Sequence, residues 1–305
     1  SDPIALKGAE RKVVDTNANV QLRVYTSRIR KHPLGGRIGK LLGSVYQWRD
    51  FFGPAALDPI RDVDQIVVVG PQFRDSSGVV AVLKLNVPDE RVRIAIDALV
   101  KADPEGQWLD AGAPSAIAHA DRAPREFVLP APGIVVVTPP GSLADEAAKI
   151  GGRWQSMMRD SGGAEVVSAK VKTPWRALSG VFNAPKSIKW ARAQVTPTAD
   201  RGVLIEIEAE DESAETANEN AAHLQTAVTA ATQLDLGVFG AFLGSAQHRF
   251  VEKVEFTAQG STIHGKLTLT EQQLLTALDL VAAYIGQPRQ VRRAAPAAPQ
   301  PSSSP

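Results

Sequence analysis

The sequence predicts an α+β protein of two similar units, each a largely antiparallel sheet of about five strands with helices on one face. Three observations carry this. Strand-like runs come in pairs joined by short turn-rich segments, the pattern of hairpins rather than crossovers. The order strand, helix, hairpin, helix, hairpin, helix runs twice along the chain. Val203, Ile205 and Ile207 fall on one face of a strand and Leu204, Glu206, Glu208 and Glu210 on the other, a period of two that marks one dry and one wet face.

The first unit spans residues 20–150. It opens with a strand, Val20 to Tyr25, and a helical stretch from about Pro33 to Phe52. A hairpin follows, Gln65 to Val69 with Val79 to Val87, rich in the β-branched residues that suit a pleated surface. Pro88 stands where a first helical residue belongs, because its missing N–H costs nothing there. The helix to Lys101 carries Val92, Ala95, Ile96, Leu99 and Val100 as one apolar stripe. Glu126 to Leu129 and Ile134 to Thr138 make a second hairpin around Pro130-Ala131-Pro132-Gly133. A last helix starts at Ser142, with Asp145 three residues on as its capping partner.

Residues 151–164 read as a linker and 165–286 as the second unit. The strand Glu165 to Val171 leads to a short helix near Trp175 to Phe182, then to the hairpin Ile188 to Thr196 with Val203 to Ala209. If Val195 faces Val203, Ala193 lies opposite Ile205 and Ala191 opposite Ile207 on a buried face. The same register sets Arg192 opposite Glu206 and Trp190 opposite Glu208. A long helix covers Ser213 to Leu234. The last hairpin is Phe250 to Phe256 with Thr262 to Leu269, and the last helix, Glu271 to Ile285, follows the capping pair Thr270 and Gln273. Both ends are tails. Residues 1–19 are polar with weak periodicity. Residues 287–305 are rich in Pro, Ala and Ser, bury too little apolar surface to offset their ordering entropy, and are predicted disordered.

Composition narrows the chemistry. The 34 basic and 33 acidic residues nearly cancel, so the chain lacks the basic excess of a dedicated nucleic-acid binder. With no cysteine it has no disulfide, thiolate metal site or thiol nucleophile. No run reaches the roughly 20 apolar residues of a membrane-spanning helix. The nearest, Leu236 to Gln247, contains three glycines. The chain opens Ser1-Asp2-Pro3 without a signal peptide, as a mature exported protein does, which leaves room for an upstream signal or anchor.

Catalytic and cofactor motifs are missing from the text of the chain. The histidines at 32, 119, 223, 248 and 264 have no i, i+4 spacing for a metal, and no His-Glu-x-x-His occurs. Gly35-Gly36-Arg37-Ile38-Gly39 lacks the spacing of a dinucleotide loop, and Gly39-Lys40 is followed by Leu41, not by the hydroxyl that a phosphate loop needs. No Gly-x-Ser-x-Gly elbow is present. Glu206, Glu208 and Glu210 sit on alternate positions of a straight strand, which does not wrap a calcium ion, and read as a solvated face. No metal, cofactor or catalytic residue is expected.

Charge is segregated despite the balanced total. From Thr16 to Arg49 there are seven basic residues and no acid, and from Gly202 to His248 eight acids and no Lys or Arg. Arg23, Arg28, Arg30, Lys31, Arg37 and Lys40 therefore form a candidate anion or partner patch, suited to an acidic protein surface, to a second copy of the chain, or to peripheral contact with anionic lipid or polymer. Phe239, Phe242 and Leu243 form a candidate apolar partner or ligand surface, with Gly240 and Gly244 allowing close approach.

Residues 32–71 hold His32-Pro33-Leu34-Gly35, Trp48-Arg49-Asp50-Phe51-Phe52, Leu57-Asp58-Pro59-Ile60-Arg61-Asp62-Val63-Asp64 and the strand Ile66 to Val69. This text resembles uncharacterised bacterial exported or envelope-anchored proteins with a duplicated α+β domain. The resemblance implies an envelope location, in the periplasm or on the outer surface, and no activity. The expected function is a non-enzymatic cell-envelope binding or scaffold protein that contacts another envelope protein or itself. One alternative is a carrier of a lipid-like or other apolar ligand, which needs an enclosed apolar cavity of roughly 300–1,000 Å³. A second is a hydrolase, which needs carboxylates or a histidine clustered in a cleft.

Overall fold

The computed structural model describes residues 19–44, 57–71, 78–109, 112–120, 123–160, 162–179, 183–232 and 253–286. Residues 1–18 and 287–305 of the predicted tails, and the candidate surface of Phe239, Phe242 and Leu243, lie outside the described residues. The first half holds β1 (Val20–Val24), α1 (Thr26–Ile29), α2 (Gly35–Ser44), β2 (Val63–Gly70), β3 (Val80–Leu85) and α3 (Asp89–Ala102). It continues with β4 (Gln107–Leu109), β5 (Ser115–Ala120), β6 (Ala123–Ala131), β7 (Ile134–Thr138), α4 (Ser142–Ile150) and α5 (Arg153–Met157). The second half holds β8 (Val167–Lys172), α6 (Pro174–Ala177), β9 (Trp190–Pro197), β10 (Val203–Glu210) and α7 (Ala214–Thr232), then β11 (Lys253–Gln259), β12 (Thr262–Leu269) and α8 (Glu271–Gly286).

The fold is α+β, but the two expected sheets are one. Twelve described strands run β11-β12-β10-β9-β8-β1-β2-β3-β7-β6-β5-β4, every pair antiparallel. The seam is β1 on β8, with Val20 opposite Val171 and Val24 opposite Val167. The hairpin of β4 and β5, at one edge, was not expected from the sequence. Gln107-Trp108-Leu109 is too short, and Ser115 to Ala120 too rich in alanine, to show as strands.

Helices on one face hold for the second half only. In the first half β2 and β3 are apolar on both sides. Val63, Ala81, Leu83 and Leu85 pack under Val92, Ala95, Ile96 and Leu99 of α3. Val67, Val69, Val80 and Val82 pack on the opposite side with Ala144, Ala147 and Ile150 of α4 and with Trp154. Trp154 and Met158, in the stretch read as a linker, are fully buried, and Trp154 Nε1 donates to the Ala147 carbonyl at 2.9 Å. In the second half Ala217, Ala221 and Leu224 of α7 cover Ala209 and Ile263. The other face of those strands carries Arg192, Glu206, Glu208 and Lys266 and meets solvent. The last helix, α8, packs against α2 rather than on that face, and Arg37 of α2 pairs with Asp279 of α8.

The hairpin of β9 and β10 keeps the predicted faces in a different register. Val203 lies opposite Pro197, Ile205 opposite Val195 and Ile207 opposite Ala193, so Arg192 meets Glu208, not Glu206, and Trp190 meets Glu210. The cause is the turn. Thr198 N–H donates to the Gly202 carbonyl at 3.0 Å, which closes the loop two residues tighter. A two-residue slip preserves the side-chain faces, so the apolar pattern does not resist it. Ile205 and Ile207 are half-buried rather than buried. Thr270 and Gln273 form the predicted reciprocal cap, at 2.9 and 3.3 Å. Ser142 does not cap its helix; Gly141, with φ of 108°, holds that place.

Candidate anion-binding cleft

An open cleft of about 660 Å³ lies where the two halves meet, at the α1 end of the β1–β8 seam. Three segments form it. The turn after α1 supplies Arg28, Lys31, His32 and Pro33. The approach to β8 supplies Asp160, Gly162, Gly163, Ala164 and Val166. The β9–β10 turn supplies Pro197, Thr198, Ala199 and Arg201.

Arg28 ties two of these segments together. Its Nη2 bonds Asp160, its Nη1 donates to the Glu165 carbonyl at 2.5 Å and lies 3.3 Å from Glu165 Oε2, and its guanidinium stacks 3.8 Å above the Tyr25 ring. Burial alone would lower its pKa, but the hydrogen bond and charge of Asp160, with Glu165 beside it, raise it above the ordinary guanidinium value. Asp160 is held below the usual carboxylate range, chiefly by the Arg28 hydrogen bond and then by the Gly162 N–H, with Lys31 adding charge. Gly162, at φ of 75°, lets the chain turn so that its N–H reaches Asp160 Oδ1 at 2.9 Å.

His32 closes the third side. Its Nδ1 accepts from the Leu34 N–H at 3.2 Å, and its Nε2 lies 3.1 Å from the Arg201 carbonyl. A carbonyl only accepts and an amide N–H only donates, so the two contacts suit a donor at Nε2 and an acceptor at Nδ1. Arg201, at φ of 67°, projects from the tight turn, with Nη1 3.6 Å from Glu271 Oε1. Gly202 beside it is required, since any side chain there would run into the Leu269 carbonyl.

Of the six predicted patch residues, the structure brings Arg28 and Lys31 to the cleft. Arg30 points away and fastens α1 to the edge of β2, donating to the Ile60 and Val63 carbonyls at 2.8 and 3.0 Å and to Asp64 at 3.0 Å. Arg37 pairs with Asp279, Lys40 is exposed on α2, and Arg23 lies on β1 between Val67 and Ser168. Sequence reasoning missed His32, Asp160 and Arg201 as cleft residues. His32 and Arg201 are 169 residues apart and carry no shared motif.

Chemically the cleft offers cations on two walls. The Lys31 side chain is exposed, with no hydrogen bond or ion pair among the described residues, while Arg28 is held by Asp160 and Glu165 and Arg201 lies 3.6 Å from Glu271. The Thr198 hydroxyl donates to Asp200. The charged, open rim differs from the enclosed apolar cavity that a lipid carrier needs. On the solvated sheet face, a second groove of about 210 Å³ is occupied by its own pairs, Arg192 to Glu208 at 2.5 Å and Lys266 to Glu206 at 3.6 Å. Glu210 accepts from Ser261 and Thr262, and no group of three metal-binding side chains occurs among the described residues. No family model, curated protein or solved structure matches this chain.

Proposed function

We propose that this chain is a non-enzymatic bacterial cell-envelope binding protein whose junction cleft receives an acidic group from a partner protein. The observation that carries the reading is that Lys31 and Arg201, one from each half, line one cleft, with His32 holding the Arg201 main chain. Two cations brought together from distant segments attract carboxylates and set orientation and on-rate. The envelope location rests on the resemblance of residues 32–71.

The same proposal includes a duplicated architecture. Within the single sheet the orders β1-β2-β3-β7-β6 and β8-β9-β10-β12-β11 follow the same path, with β4 and β5 as an edge addition to the first. Helices fall at corresponding places: α1 and α6 after the first strand, α3 and α7 before the fourth, α4 and α8 after the fifth. Antiparallel pairing of β1 with β8 then makes an approximate two-fold axis normal to the sheet, and the cleft lies beside it.

The test is charge reversal. Binding of an acidic partner captured by cross-linking from envelope extract should fall at least tenfold in Lys31→Glu/Arg201→Glu and weaken with added salt. Undiminished capture by the folded double variant rejects the reading.

A further inference from the structure

We propose that the cleft selects an extended segment in which acidic and apolar residues alternate, rather than any anion of sufficient charge. This rests on the reading of the cleft as an anion site. Between the cationic walls the lining is apolar: Pro33, Ala164 and Ala199 are exposed, Pro197 is half-buried, and Val166 is buried beneath. Prolines and alanines have almost no side-chain freedom to lose, so this floor is ready for an apolar side chain without reorganisation. The approach to β8 adds a main-chain component. The N–H groups of Gly163 and Ala164 make no hydrogen bond among the described residues, and both residues are exposed beside the cleft.

An extended strand presents successive side chains to opposite sides. Laid along residues 162–164, it can accept from those N–H groups, turn one carboxylate toward Lys31 on the α1 side, and turn the next, apolar residue onto Pro197 and Ala199 of the β9–β10 turn. Asp160 and Glu165 both bond to Arg28, and exposed Lys31 repels a basic residue placed beside it.

The experiment is fluorescence anisotropy on the full chain with three labelled hexapeptides: alternating Glu-Leu, all-Glu, and alternating Lys-Leu. Glu-Leu should bind at least tenfold tighter than all-Glu, and Lys-Leu should not bind. The exposed variant Ala199→Asn should reduce Glu-Leu to the level of all-Glu. Lys31→Glu/Arg201→Glu should weaken both acidic peptides. Equal binding of Glu-Leu and all-Glu overturns the selectivity and leaves the anion site standing. Failure of both acidic peptides to bind overturns the anion site as well, and Lys-Leu binding as tightly as Glu-Leu overturns the role of charge.

Discussion

The two halves of the sheet solve the same burial problem differently. In β2 and β3 nearly every residue is apolar, and helices cover both sides. In β9 and β10 apolar residues alternate with charged ones, and α7 covers one side. A strand buried on both faces needs a continuous apolar run, whereas a half-solvated antiparallel strand needs alternation. The side-chain pattern therefore decides whether a helix can sit on a given face. Two helices show the result: α4 lies on Val67 and Val82, while α8 leaves the charged face and packs on α2.

The strongest way to break that contrast is to exchange the patterns. Val82 is wholly buried on the α4 side, so Val82→Glu buries an unpaired charge and should cost more than about 4 kcal/mol or prevent folding. Glu206→Val on the exposed face should stay within about 0.5 kcal/mol. Urea denaturation compares the two, and similar losses would sink the argument. Cavity formation gives the next effect. Leu83→Ala, at a fully buried site, should cost about 3–5 kcal/mol, and Ile205→Ala, half-buried, about 1–2 kcal/mol.

Buried carboxylates sharpen the comparison further. In the first half Asp62 is held by Arg61 at 2.7 Å, the Asp58 N–H at 2.9 Å and Arg91 at 3.3 Å. In the second, Asp211 accepts from neutral donors: Asn220 and the Glu212 N–H at 2.7 Å, and Thr216 at 2.9 Å. The Arg61 hydrogen bond leads in holding Asp62 below its ordinary pKa. Burial pushes Asp211 up, but its hydrogen bonds from Asn220, Glu212, Thr216 and Ser187 together bring it below the ordinary value. A carboxylate whose folded pKa is depressed stabilises the fold fully above its unfolded pKa of about 3.9 and ceases to do so as pH falls through the folded value. Asp211→Ala strands several donors and should cost about 2–3 kcal/mol at pH 7, with the deficit shrinking below about pH 4. High salt should weaken the Asp62 contribution and leave that of Asp211. Stability curves between pH 7 and 3 at two ionic strengths read both effects; a deficit in Asp211→Ala that grows toward low pH would contradict the assignment.

The smallest expected effect is at the cross-strand pair. Arg192 and Glu208 are each partly exposed, so Arg192→Ala should cost less than about 1 kcal/mol. A larger loss in the same urea titrations would mean that the charged face is buried against something.

Much of this was legible where local chemistry decides. Alternation in residues 205–210 marked the wet face, and Thr270 with Gln273 marked a helix start. The stripe from Val92 to Leu99 marked the buried side of α3. The register of β9 on β10 was not legible, because a shift of two keeps every face and only the turn geometry selects it. Nor was the merger of two sheets, since nothing local in Val20–Val24 says that its second neighbour is β8. The cleft was half legible. A run of basic residues showed Arg28 and Lys31, but Arg201 reads as an ordinary turn residue until the seam brings the two segments together.

That seam also orders events while the chain is being made. β1 pairs locally with nothing: β2 begins about 40 residues later and β8 more than 140 residues later. At roughly 5–20 residues per second, on the order of 10–30 s separate the emergence of β1 from that of β8. Through that interval the first half can close on its own core while β1 stays an open sheet edge, the kind that recruits stray strands. Val20, Leu22 and Val24 offer it no charge on their side, whereas Arg23 stands as a single gatekeeper on the other. The newborn chain is therefore most exposed to mispairing in the middle of its synthesis, and arrival of β8 ends that exposure in the same step that brings two of the three cleft segments together.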